Sequence, residues 1–374
     1  MAPSTTRRPY NGALIALFLA LSGTGAWFMR ISPAINDVPA GFVDIVEAGT
    51  LPNGTRIKKH YTGIGALDDM LSFLVAAFLY GPTAWNEAFY WQQLHFLVQI
   101  TAFIAVMNVE ACRERNRASW LKYTAVFAFV YQNIGGAVII PLWFILLSLT
   151  SGKNSYFSSG RAVSLPYARV LLPATIFLYL VPSIALYVPG WNLTTLQNLL
   201  AFWQPTPILV NAPLWFASLF VSSRPAAASK ARDADVPHLR FLYIVTFAIS
   251  VAVHWYTIYG ISISSDPAVS LSTVFLPNPA TWKSTMDDGL LWIFQCDWIV
   301  CAATTTLACF VAVYDVQRLI HGTATGVQLI QGAIAIAMLT LVGGPGATIS
   351  VIWAWREEKL AVIEKGAGSG KKRR

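Results

Sequence analysis

The sequence predicts an all-α, polytopic integral membrane helix bundle, on three observations. Charged residues make up only 12% of the 374-residue chain and hydrophobic residues 55%, whereas a soluble domain is about a quarter charged. The charges gather in short loops and at the ends. The runs between them reach the roughly 20 apolar residues that a helix needs to cross a hydrocarbon core. The whole chain, 1–374, reads as one integral membrane domain.

The elements follow in order. Residues 1–10 are polar and basic, and the apolar run 12–29 after Arg7 and Arg8 reads as an uncleaved signal anchor. Residues 31–62 form the first extramembrane loop, with three prolines, the acids Asp37, Asp44 and Glu47, and a glycosylation sequon at Asn53. A second sequon starts at Asn192. The stretch 63–80, GIGALDDMLSFLVAAFLY, opens with Asp68 and Asp69. Further apolar segments cover 87–108, 121–149, 166–188, 193–221, 241–261, 289–314 and 331–353. The segment 121–149 is interrupted by Gly135 and Gly136, and the last by Gly343, Gly344, Pro345 and Gly346. A basic loop lies at 224–240, and the tail 354–374 ends KKRR. About seven to nine of these segments are expected to span. With nine, the basic N-terminus and tail would fall on opposite sides, against the positive-inside rule, so one segment is expected to be re-entrant or miscounted.

The net charge of +8 comes from basic loops at segment ends. That pattern fits anionic lipid at a membrane surface and excludes nucleic acid. The four cysteines form no CxxC or Cys/His cluster, so neither a disulfide scaffold nor zinc is indicated.

Polar residues inside apolar segments carry the functional reading. One Asp at a helix centre costs about 2.5–3.5 kcal/mol on insertion scales, so such a group needs a reason. Asp68 and Asp69 either cap a helix at the water boundary or line an internal cavity. Gln92, His95 and Gln99 share one helical face, with Glu87 before it and Glu110 after it. Gln197, Gln204 and Asn211 form a second stripe, and His254 sits in the seventh segment beside Trp255. Asp297 lies well inside its run, between Trp292 and Trp298, with no cation near it in sequence. Stripes of Gln and Asn also serve as plain interhelical hydrogen bonds, and His254 also fits a packing role. Acids together with 14 Trp suit one chemistry. A buried neutral carboxyl donates a proton, and aromatic faces stabilise the carbocation that then migrates. That is protonation-initiated cyclisation of an isoprenoid.

Other chemistries lack their motifs. There is no DDxxD pair for magnesium and diphosphate, no histidine boxes, no P-loop and no G-x-S-x-G elbow. A proton-coupled membrane transporter remains the alternative, and a non-enzymatic receptor or scaffold is a third reading. The broken segments favour a transporter mildly, whereas the sequence shows no internal repeat.

In length, in hydropathy profile, in the stretch GIGALDDMLSFLVAAF and in FQCDW at 294–298, the chain resembles the membrane-bound terpene cyclases of fungal meroterpenoid pathways. That group includes the ascochlorin, ascofuranone and macrophorin cyclases. The resemblance implies a helical membrane enzyme without metal or cofactor that acts on farnesylated aromatic or epoxyquinone polyketides. An acid protonates a terminal epoxide or olefin, the chain cyclises, and a base or neighbouring hydroxyl quenches the cation. The expected enzyme is thus an isomerase- or lyase-like cyclase of secondary metabolism, glycosylated and resident in the endoplasmic reticulum. Its expected contacts are an isoprenoid–polyketide small molecule and membrane lipid.

The residue reading supplies the site. Asp297 or Asp69 is the candidate acid, with Asp68, Glu87 and Glu110 as partners, and His95 or His254 as final proton acceptor. Trp91, Trp292 and Trp298, with Gln99 and Gln204, are the candidate lining.

Overall fold

Six helices are long and apolar enough to cross a membrane among residues 6–221 and 233–371, which the computed structural model describes. Residues 1–5, the part of the basic loop at 222–232, and the last three residues of the KKRR tail lie outside them. The first crossing helix, α1, is Asn11–Ile35. A loop with the short helix α2, Phe42–Ala48, leads to α3, Gly65–Thr83. Next comes α4, Glu87–Cys112, which starts where the Asn86 side chain accepts from the Phe89 N–H at 3.0 Å. It is buried almost all round, its polar stripe included.

The expected span at 121–149 is instead two helices, α5, Thr124–Ile134, and α6, Gly136–Thr150. Gly135 separates them in an extended conformation with φ 115°, which a side chain rarely adopts. Then come α7, Leu165–Ala185, and a segment that Pro205 and Pro207 break into α8, Leu193–Trp203, a single turn, and α9, Ala212–Ser218. The bundle closes with α10, Val236–Ile263, α11, Met286–His321, and α12, Gly326–Lys371. In α11, Thr285 caps the start, Asp287 and Asp288 fill the first turn and Arg318 and His321 the last, as the helix dipole favours.

Helix α12 is broken at Gly344, where φ is 78°. Thr340 and Thr348 lie about 12 Å apart along a straight helix, yet their hydroxyls meet at 2.9 Å. The chain therefore doubles back. The pair α5–α6 does the same: Thr124 bonds Asn108 near the end of α4 at 2.7 Å, while Ser148 and Ser151 near the end of α6 bond Arg8. Both hairpins enter and leave through one face.

That face carries most of the basic residues, with Arg56, Lys58, Lys59 and Lys283 at the other. Arg8 pairs with Asp315, and Arg113 and Arg161 share Glu357 at 2.5 and 2.6 Å. Arg161 also holds Asp235 at 3.0 Å, and Glu110 holds Arg113 and Arg356 at 3.0 and 2.7 Å. The segment 151–164 ties these groups together, through Arg8 N–H to Gly152 and Glu114 N–H to Ala162. The opposite face holds the loop 36–64, where Asn36 accepts from Lys283 at 2.7 Å, and Asn86, which donates to Asp287 at 2.6 Å. With α12 doubled back, its far end returns to the face of the N-terminus, and the conflict with the positive-inside rule disappears. Accordingly, in sealed vesicles with the cytoplasmic side out, a cysteine placed at Glu114 reacts with an impermeant maleimide. One placed at Asn53 reacts only after the membrane is opened.

Candidate active site

The tip of the α5–α6 hairpin is held by two opposite charges. The last carbonyls of α5 and the first N–H groups of α6 have no partners within their helices. Arg30 of α1 donates to the carbonyls of Ile134 and Asn133 at 2.7 and 3.0 Å. Asp297 of α11 accepts from the N–H groups of Ala137 and Gly136 at 2.5 and 3.3 Å. A cation thus sits at a helix C-terminus and a carboxyl at a helix N-terminus, where the dipole favours any negative charge it comes to carry. The Cys301 thiol, one turn along, donates to Asp297 Oδ1 at 3.4 Å. Oδ1 is therefore doubly engaged, and Oδ2 carries only the longer contact.

The glycines make this approach possible. A Cβ on Gly136 would lie 2.9 Å from Cys301 Sγ and 3.2 Å from Asp297 Oδ1. Gly136→Ala is therefore expected to push Asp297 aside. Misplacing a reacting group by about 1 Å costs roughly 100-fold in rate, and overpacking costs about 1–3 kcal/mol. Parallel measurement of turnover and thermal stability separates the two effects.

Asp297 faces a cavity of about 570 Å³, within the usual range for a small-molecule site. Its walls are aromatic: Phe73 and Phe78 from α3, Phe96 from α4, Tyr179 from α7, Trp203 from α8 and Phe294 from α11. Phe78 packs edge-on against Phe294 at 4.9 Å and beside Trp203 at 5.2 Å. Arg30, Tyr131, Gln132 and Asn133 supply polar groups, and Asp37, Phe42 and Asp44 form the end nearest the loop face.

The structure brings Asp297 to this cavity and places the other candidates elsewhere. Asp68 is buried against the preceding loop and accepts from the N–H groups of Tyr61, Thr62 and Gly63 and from the Thr62 hydroxyl, at 2.7–3.1 Å. Burial alone would raise this carboxyl, but these donors outweigh it and hold it at about 2. Asp69 is exposed, just past the first turn of α3. Glu87 accepts from Trp91 Nε1 and the Ser264 hydroxyl at 3.0 and 2.8 Å, at the loop face. Glu110 belongs to the buried ion cluster of the basic face, where Trp353 Nε1 also reaches it at 3.1 Å.

The stripe on α4 points away from the cavity. Gln92 donates to the Phe294 carbonyl at 3.0 Å. Gln99 serves the second hairpin, donating to the Gly343 carbonyl at 3.1 Å and accepting from the Gly346 N–H at 2.8 Å. His95 and His254 meet at 3.1 Å, and the other nitrogen of His254 lies 3.0 Å from the Leu341 carbonyl. His95 packs on Trp298, which packs on Phe96, so this pair stands one aromatic layer behind the cavity wall. Trp91 lies against Gly260 of α10. Trp292 donates to the Phe28 carbonyl at 3.2 Å. Gln204 accepts from Gln132 at 2.7 Å and lines a neighbouring cavity.

Sequence reasoning missed Phe78, Phe96, Tyr179 and Phe294, as well as Asp37 and Asp44. One signal was available: Phe294 and Asp297 are three residues apart and share a helix face. Trp298 and Trp292 stand about 100° and 140° around α11 from Asp297 at 100° per residue.

Comparison with known proteins gives a consistent picture. The family model of the CtvD domain matches residues 14–361. The chain is 26% identical to terpene cyclase ctvD of Aspergillus terreus, over 79% of this chain and 85% of that one. It is 24% identical to terpene cyclase ascI of Acremonium egyptiacum, over 94% and 93%. It is also 26% identical to part of FAD-dependent monooxygenase verC1 of Penicillium polonicum, over 71% of this chain and 32% of that longer protein. No solved structure matches.

Proposed function

The chain belongs to the CtvD-domain family, and from that premise we propose that it is a membrane terpene cyclase using Asp297 as its proton donor. Its substrate is a farnesylated polyketide with a terminal epoxide. The observation that carries this reading is a carboxyl set against the end of an aromatic cavity, already supplied with N–H donors. The protonated carboxyl delivers its proton to the epoxide oxygen. The C–O bond breaks as the nearest double bond supplies its electrons, and the ring closes. The N–H groups of Gly136 and Ala137 receive the charge left on Asp297. The faces of Phe78, Trp203 and Phe294 stabilise the cation as it moves. Capture by a substrate hydroxyl, or loss of a proton to the carboxylate, ends the sequence and restores the acid, so product and substrate are isomers. The similarity to a segment of a protein named for flavin monooxygenation supports the epoxide over the olefin, since that chemistry supplies epoxides.

We place the enzyme in the endoplasmic reticulum membrane, with the loop face lumenal, where Asn53 is exposed for glycosylation. Asn192 instead caps α8 through its side chain. The test is product analysis from microsomes of a yeast host given a farnesylated hydroquinone as linear olefin and as terminal epoxide. An isomer formed from the epoxide is expected. Conversion of neither form, with the protein present in the membrane, overturns the reading.

A further inference from the structure

A second cavity of about 670 Å³ adjoins the first, and Leu74, Gln132 and Asn133 line both. Its character differs. Asp297 and most of the aromatic walls belong to the first cavity, whereas the second is edged by Lys58, Tyr61, Thr62, Asn198 and Gln204. Two of these carry buried polar atoms without a hydrogen-bond partner, Gln204 Nε2 and Tyr61 Oη. Gln204 is only 3% exposed. Its Oε1 is taken by Gln132 Nε2 at 2.7 Å. Turning both amides over keeps that bond and leaves the Gln204 oxygen bare instead, so one atom of this side chain lacks a partner in either orientation. A buried polar group left unpaired costs about 1–3 kcal/mol, and two on residues that line one cavity point to something that pairs with both.

We propose that the second cavity is the subsite for the oxygenated ring of the substrate, a phenol or hydroquinone whose hydroxyls bond Gln204 and Tyr61. The prenyl chain then runs past Gln132 and Asn133 into the aromatic cavity and presents its far end to Asp297. A hydroxyl donates and accepts, so it satisfies Gln204 in either orientation and Tyr61 as well. A site built to bond a hydroxyl rejects an analogue lacking it, because its own polar groups are then left unpaired. Gln204 and Tyr61 thereby set which ring the enzyme accepts and in which direction the chain is threaded. This assignment rests on the cyclase reading for its ligand.

The test separates the two. Wild-type protein and the variants Gln204→Leu and Tyr61→Phe are given the epoxide of a farnesyl hydroquinone and of the farnesylbenzene that lacks both ring oxygens. The expected result is a KM raised at least 10-fold in each variant for the hydroquinone, with kcat changed less than 3-fold. For the farnesylbenzene, variants and wild type should match. An equal change for both substrates, or none for either, overturns the subsite. Photolabelling reads binding without turnover. A farnesyl hydroquinone bearing a diazirine on the ring is expected to label peptides from 58–74 or 198–208. One bearing it at the chain terminus should label 290–297. The reversed pattern, or no saturable labelling, also overturns the subsite. The expected labelling without any cyclised product would leave the subsite standing and remove the cyclase reading.

Discussion

Asp297→Asn is expected to abolish cyclisation while leaving the protein folded. The amide oxygen of Asn still accepts an N–H at the start of α6, and Asn is as good a helix cap as Asp. What the variant loses is the transferable proton. General acid catalysis contributes about 100- to 10,000-fold, so turnover should fall by that factor with an unchanged amount of membrane-extracted, monodisperse protein. Asp297→Glu keeps the proton but moves it by a methylene, and partial activity is expected. If Asp297→Asn retains full activity, the proton comes from elsewhere. Asp37 and Asp44, at the loop end of the same cavity, are then the next acids to substitute.

Glu110→Ala is expected to show the opposite behaviour, with loss of protein rather than of chemistry. Glu110 is fully buried and compensates Arg113 and Arg356, with Arg113 also shared with Glu357. Removing one partner of a buried ion pair costs about 3–5 kcal/mol, because the remaining charge is left uncompensated. The variant should accumulate poorly or unfold at lower temperature. The folded fraction should cyclise at a rate per molecule close to that of wild type, since Glu110 lies at the basic face, away from the cavity. A well-folded, inactive Glu110→Ala protein would return this residue to the mechanism.

The contrast between these two acids shows what could be read from the chain. Asp297 lies inside its apolar run and Glu110 just after the one at 87–108, and the sequence kept both as candidates, Asp297 as acid and Glu110 as its partner. Asp297 had no cation near it in sequence, and the structure supplies backbone N–H groups from a hairpin tip more than 150 residues away. Glu110 had Arg113 one turn on, and the structure adds Arg356. The membrane class was legible because composition is an additive signal, and the glycine breaks at 135–136 and 343–346 were visible as interruptions. That the chain turns back at both of them was not, since the sequence led to one re-entrant or miscounted segment and the structure has two hairpins. Nor was the cavity. Its aromatic walls are four ordinary phenylalanines, a tyrosine and a tryptophan whose convergence depends on how five helices pack, and the α4 face that lines it is the apolar side, Phe96, Leu97 and Ile100. The polar stripe of Gln92, His95 and Gln99 instead cross-links α4 to α10, α11 and the break in α12. In lipid a polar side chain is needed wherever a neighbour's backbone is broken, so a stripe marks such joints as readily as it marks a site.

The measurement that bears most directly on proton delivery to an epoxide is mass spectrometry of the cyclised product made in D2O from the farnesyl hydroquinone epoxide. Protonation of the epoxide oxygen places deuterium only on a hydroxyl, from which it washes out. The account predicts a product with the mass of its substrate after back-exchange into H2O, formed by wild type and not by Asp297→Asn. One deuterium retained on carbon, or equal product from Asp297→Asn, would contradict it.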